Sequence, residues 1–286
     1  MLNMKYFIVT FFLLYFSNAN AIETVRSRGP QSEFDASHSY FIGLIKLAYE
    51  KNNKEVNFVF SPYMAQKRAL SELQAGRLVD IYWAGMDAAR ASQLSVVNIP
   101  LVKGLLGFRV FITHQDNLKK LEQVSTLSDL KKVSLCQGSH WPDTDIMLAS
   151  GLKVLPNPIY ENMFSQTYIK RCDAFPRGIN EAMSEYQVRK IVMPKLALYQ
   201  DLIIHYPFPM YFFTSAKNKQ LALFIQAGLE KAIDDGSFEQ YMKTHPTTKH
   251  LFPLATWKDA RFIHLENPFL PEGLDIKNPR YWISVD

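Results

Sequence analysis

Apolar runs of strand length alternate with stretches of helical periodicity along most of this chain, which confines it to an α/β fold with mainly parallel sheets. Ile22 to Val25 reads as a short strand followed by an Arg-Gly-Pro loop. Behind Ser37, a capping residue, Phe41, Leu44, Ile45 and Ala48 fall at i, i+3, i+4 and i+7, so a helix is expected. Val56 to Phe60 alternates as a strand, Pro62 opens a helix that stops at Gly76, and Leu78 to Trp83 and Val96 to Ile99 are further strands. Phe108 to Ile112 is extended and carries the chain into a second lobe. There Val133 to Cys136 is a strand, Gln137-Gly138-Ser139 starts a helix running toward Ser150, Asn162 to Ile169 is a helix, and Cys172 to Phe175 is another strand. Tyr206 to Thr214 returns the chain to a helix with Leu221, Phe224, Ile225, Leu229 and Ala232 on one face. From Thr244 a tail rich in proline and aromatic residues is expected against the first lobe. The expected division is a leader at 1–21, lobe one at 22–107 with 207–286, and lobe two at 108–206.

The leader rests on Lys5, the nearly unbroken apolar run from Tyr6 to Phe16, and the small-x-small sequence Ala19-Asn20-Ala21, the pattern of a cleaved secretory signal. Its apolar run of about eleven residues falls short of the roughly 20 needed to span a bilayer. Cleavage after Ala21 would start the exported chain at Ile22, with no cysteine nearby to accept a lipid. A periplasmic protein, free in its compartment, is therefore expected.

The formal charge of +5 is mild, and the basic residues are scattered, with Lys67-Arg68 the densest cluster. Nucleic-acid binding needs a concentrated basic stripe, so that class is excluded. Two cysteines in an oxidising compartment invite a disulfide. Against it, Cys136 ends one strand-like run and Cys172 begins another. In neighbouring parallel strands those positions lie about four residues of 3.3 Å rise apart, too far for the roughly 7 Å Cα limit. Two free thiols are expected.

The order of these elements and their motifs resembles the family-3 extracellular solute-binding proteins, the two-lobed periplasmic receptors of polar amino-acid uptake. Gly76-Arg77-Leu78-Val79-Asp80-Ile81 resembles that family's strand before the first binding loop, and Arg90, in Met86-Asp87-Ala88-Ala89-Arg90, stands where the family has an arginine. Ser128-Asp129-Leu130-Lys131 followed by Gln137-Gly138-Ser139 is similar to its opening of lobe two, Asp173-Ala174 to a later strand, and Ala232-Ile233-Asp234-Asp235-Gly236-Ser237-Phe238 to its last amphipathic helix. Two departures stand out. The family's Phe-Ser-x-Pro-Tyr segment is here Val97-Asn98-Ile99-Pro100-Leu101, and Arg177 and Gly178 occupy positions where amino-acid receptors place an acid for the ligand's ammonium. The resemblance implies a type II periplasmic-binding-protein-like fold, two mixed sheets joined by two hinge crossovers, and a monomeric receptor without a cofactor. Its partners would be a small anionic or amino-acid-like ligand and an inner-membrane permease or sensor.

In such a fold the ligand meets loops at the carboxyl ends of strands from both lobes. That position selects Glu33 in the loop from Arg28, Trp83, Met86 and Arg90 from lobe one. From lobe two it selects Gly138, Ser139, Trp141, Asp143, Phe175 and Arg177. Arg90 is the expected carboxylate fork. Gly138-Ser139, read as a helix start, offers amides to an anion or is a plain turn with a serine cap. Trp83 and Trp141 sandwich a planar group or cover the core. Arg177 has three readings: the ligand's carboxylate, a salt bridge to Glu181 or Asp143, or solvent. Two ligand-facing arginines would imply a dianion. For catalysis, no His-x-x-x-His pair offers a metal site and no Gly-x-Ser-x-Gly elbow is present. The alternative to a receptor is a dehydratase-like cleft enzyme using Glu33, Asp87, Asp143 or Glu181 as acid or base.

Overall fold

A computed structural model describes residues 22–283, so the leader lies outside the described residues. The strands in chain order are β1 (Glu23–Arg28), β2 (Val56–Ser61), β3 (Ile81–Gly85), β4 (Leu94–Val97), β5 (Phe108–His114), β6 (Ser134–Gly138), β7 (Lys153–Asn157), β8 (Ala174–Gly178), β9 (Leu196–His205), β10 (Met210–Ser215) and β11 (Arg261–His264). They form two mixed sheets, one ordered β2-β1-β3-β10-β4 and the other β11-β9-β5-β8-β6-β7. The fold is thus the expected two-lobed α/β type. Two passages join the sheets in mid-chain, one before β5 that turns through a short 3-10 helix at Leu105–Gly107 and one between β9 and β10. They touch where the Tyr206 amide donates to the Gly107 carbonyl at 3.2 Å, and the C-terminal tail crosses between the sheets as well.

One buried apolar cluster runs through both lobes, and a smaller one lies in each lobe. In the first lobe, the helix His38–Lys51 turns Tyr40, Phe41, Leu44, Ile45 and Ala48 inward, the periodic face the sequence displays. It lies against the helix Lys219–Asp234, which buries Leu221, Ile225, Leu229 and Ala232. The helices approach so closely at Gly228 that a Cβ there would sit 2.1 Å from the Ala48 carbonyl oxygen. Among the described residues no helix is long and apolar enough to cross a membrane.

Four expectations need correction. Ser37 stands before its helix but donates to Asp35 Oδ1 at 2.8 Å instead of capping. Residues 62–65 carry no helix, and the next helix runs from Gln66 to Ala75 before Gly76 ends it with φ 68°. The tail does not stay on the first lobe: β11 pairs in parallel with β9 at the edge of the second sheet. It then returns, the Phe269 carbonyl accepting from Ala88 N and Ile283 N donating to Lys103 O, both at 3.0 Å.

The fourth correction concerns the cysteines, which form a disulfide with Cα atoms 5.6 Å apart. The argument from strand rise fails because Cys172 is not on a strand. Residues 171–173 bend, and β8 starts only at Ala174, opposite Leu135 of β6. The bend is held by Asp173, which accepts from Ser134 N and Ser134 Oγ, both at 2.7 Å. It folds Cys172 back over β6 into a buried cluster with Phe164 and Phe175.

Candidate functional site

The carboxyl ends of β1, β3, β6 and β8 converge on a cleft between the sheets holding about 530 Å³ of empty space, part of it open to solvent. The space enclosed between the side chains is only about 60 Å³, so the lobes stand close together and must part to admit a solute. Lobe one supplies Arg28 from the end of β1 and Trp83 from β3; lobe two supplies Trp141 and Asp143, Arg177 from the end of β8 and Glu181 from the following helix. Arg109 of β5 and Phe208 of the second crossover line its floor.

Aromatic packing fixes the walls. Trp83 stacks on Phe41 with ring centroids 5.1 Å apart, and Trp141 lies over Phe175 at 6.2 Å. Gly138 makes room for Trp141, since a Cβ there would fall 2.4 Å from the indole. Arg177 lies over the Trp141 ring at 4.9 Å, a cation–π contact that is strong where water is excluded.

The floor is a buried ionic network. Arg177 forks onto both carboxylate oxygens of Glu185 at 2.7 Å each and reaches Glu181 at 2.9 Å. Arg109 pairs with Asp143 and, at 3.4 Å, with Glu181, and its Nε donates to the Tyr206 hydroxyl at 3.1 Å. Tyr206 donates in turn to Asp143 at 2.5 Å, and Tyr160 to Glu185 at 2.5 Å. Burial pushes the Glu181 carboxyl above its ordinary range; Arg177 opposes this and the neighbouring Glu185 charge adds to it. Burial would raise Glu185 too, but the Arg177 charge and hydrogen bonds hold it below. Of the readings left open for Arg177, the salt bridge is the one present, with Glu185 as an added partner.

The other expected residues are distributed around this cleft. Arg90 lines an adjoining hollow with Ser139 and His140. Its N–H groups are already committed, Nη1 to the Gly85 carbonyl at 2.5 Å, Nη2 to Gln66 Oε1 at 2.9 Å and to the His140 carbonyl at 3.0 Å, with Asp87 3.3 Å from Nε. Gly138 closes β6 rather than opening a helix. Its amide donates to Gln137 Oε1 at 3.1 Å, the Ser139 amide to Asn157 O at 3.0 Å, and the helix begins at Pro142, which has no N–H to offer. The anion cradle read there is therefore not formed. Phe175 backs Trp141 from the core, Met86 is buried in the first lobe, and Glu33 is exposed outside the lining.

Sequence reasoning placed the loop beginning at Arg28 beside the cleft but gave Arg28, the residue with the most unusual environment, no role. Arg28 is 4% exposed, and its Nε and Nη1 have no hydrogen-bond acceptor among the described residues. Asp35 is 3.9 Å from Nη1, beyond hydrogen-bond range, and Tyr82 and Trp83 lie 5.5 and 5.3 Å from the guanidinium carbon. A buried donor without a partner costs about 1–3 kcal/mol. Asp35 itself is satisfied by the Gln31 amide and the Ser37 hydroxyl, each at 2.8 Å. Burial would raise its carboxyl, yet the Arg28 charge and these bonds hold it low. Among the described residues no group of three or more His, Cys, Asp or Glu side chains is placed to hold a metal ion.

Contacts bridging the rim between the lobes include Arg90 to the His140 carbonyl, the Tyr63 hydroxyl to the Tyr160 backbone, and Ser32, whose hydroxyl donates to Glu161 Oε1 at 2.5 Å. Arg189 forks onto the same Glu161 at 2.5 and 2.9 Å.

No protein-family model matches the chain, and no curated protein matches it in sequence. Solved structures match its shape. An ancestral arginine-binding protein bound to arginine aligns with a TM-score of 0.59 at 15% identity, covering 78% of this chain and 98% of its own. A histidine kinase sensor domain with similarity to periplasmic binding proteins gives 0.58 at 14%, covering 79% and 95%. An ancestral amino-acid-binding protein, a precursor of cyclohexadienyl dehydratase, gives 0.57 at 13%, covering 78% and 94%. The chain thus shares the fold of these amino-acid-binding proteins and of the sensor domain similar to periplasmic binding proteins.

Proposed function

We propose that this protein is an exported, monomeric receptor that reversibly binds a small carboxylate-bearing or amino-acid-like solute between its lobes, for delivery to an inner-membrane permease or sensor. The observation that supports this most is the cleft itself: both lobes line it with aromatic and charged side chains, and few polar contacts bridge its rim. Lobes joined by the passages that meet at Gly107 and Tyr206 can open by hinge motion and close over a ligand. The similar structures include receptors and a sensor domain, so both roles fit the fold.

The dehydratase-like alternative draws on Glu181, a buried carboxyl at the cleft held above its ordinary range. Binding is the better reading because Asp143 and Glu181 are engaged as ion-pair partners of Arg109 and Arg177. A thermal-shift screen of carboxylates, amino acids and small peptides tests the proposal. A ligand at about 100 times its Kd adds roughly 2.7 kcal/mol, which for a chain of this size raises Tm by about 5 °C. The hit should be recovered chemically unchanged after incubation. A panel with no stabilising compound, or a hit converted to product, would contradict the receptor reading.

A further inference from the structure

We infer that Arg28, at the carboxyl end of β1, is the anion anchor of the cleft: it takes the carboxylate of a solute whose apolar or planar body lies against Trp83 and Trp141. This deepens the receptor reading and rests on it. Four guanidinium groups stand at or beside the cleft, and three are matched. Arg109 is met by Asp143 and Tyr206, Arg177 by Glu185 and Glu181, and Arg90 by two carbonyls, Gln66 and Asp87. Arg28 alone of the four combines near-complete burial with two N–H groups that meet no acceptor among the described residues.

Asp35 balances the Arg28 charge from 3.9 Å without satisfying those donors, since that distance is beyond hydrogen-bond range and the Gln31 amide and Ser37 hydroxyl hold the carboxylate where it is. A charge-balanced guanidinium whose Nε and Nη1 are unpartnered retains its capacity for a directional acceptor, and a carboxylate supplies the strongest one. The neighbouring Tyr82 and Trp83 rings exclude water from the guanidinium, which strengthens any bond formed there. The sequence-based assignment of the carboxylate to Arg90 is replaced, since that side chain is already held by the protein.

Calorimetric titration with two matched pairs isolates the anionic head: 3-phenylpropanoate against 3-phenylpropanamide, and L-phenylalanine against L-phenylalaninamide. In the wild-type protein at least one carboxylate should bind tenfold or more tightly than its amide. Arg28→Gln should erase that preference, Arg28→Lys should restore part of it, and Arg90→Gln should leave it intact. An Arg28→Met/Asp35→Asn variant, which removes both charges together, should keep the Tm of the empty protein near wild type while losing the preference. A carboxylate preference that survives Arg28→Gln overturns the assignment and leaves the receptor reading standing. If neither carboxylate binds at millimolar concentration, the assignment falls; if the wider solute panel is also silent, the receptor reading falls with it.

Discussion

Replacing both Cys136 and Cys172 by alanine should lower the stability of the protein by about 3–4 kcal/mol, measured by urea denaturation under non-reducing conditions. The disulfide links residues separated by 36 positions. Loop-closure entropy puts such a crosslink between the roughly 3 kcal/mol of a 15-residue loop and the 4.7 of a 100-residue one. The bridge lies beneath Phe175, which backs Trp141, so its loss should also loosen one wall of the cleft. Thiol labelling of the denatured, unreduced wild-type protein should find no free sulfur. An unchanged denaturation midpoint in the double variant, or two labelled thiols in the wild type, would contradict this.

Arg177→Met should cost about 3–5 kcal/mol, because it leaves Glu181 and Glu185 buried without their principal counter-charge. The second substitution Glu185→Gln removes one of those charges while keeping an acceptor for the Tyr160 hydroxyl. Arg177→Met/Glu185→Gln should therefore be more stable than Arg177→Met alone. A double-mutant cycle reads this as a coupling above about 1 kcal/mol, the range for directly contacting residues. Strict additivity would mean that the fork onto Glu185 contributes nothing to stability.

How much of this was legible beforehand depends on what each segment buries. The helices that bury hydrocarbon announced themselves: Phe41, Leu44, Ile45 and Ala48 repeat with the period of the face they turn inward. The helix Ile179–Arg189 did not, because its buried face carries Glu181, Glu185 and Arg189, spaced i, i+4, i+8, beside Ile179 and Ala182. A hydropathy pattern assigns such charges to solvent, and only the matching arginines of β5 and β8 make their burial tolerable. The disulfide was hidden by a local bend, since three irregular residues before β8 undo a distance estimate made for extended chain.

The cleft was legible as a location more than as a list of residues. Trp83, Trp141, Asp143 and Arg177 line it, as strand-end position implies. Arg28 carries no signal of its own in the sequence: it ends a short strand of mixed polarity, and its distinction arises only when Asp35, Tyr82 and Trp83 fold around it. Arg90 was selected by motif, yet a motif cannot show that the Gly85 carbonyl, Gln66 and the His140 carbonyl already take its donors.

Small-angle scattering of the purified protein, empty and saturated with the solute that stabilises it most in the thermal screen, tests the account most directly. Ligand-driven closure predicts a smaller radius of gyration on saturation, with the change lost in the Arg28→Gln variant at the same solute concentration. Saturable binding with an unchanged radius in the wild type, or an undiminished change in the variant, would contradict it.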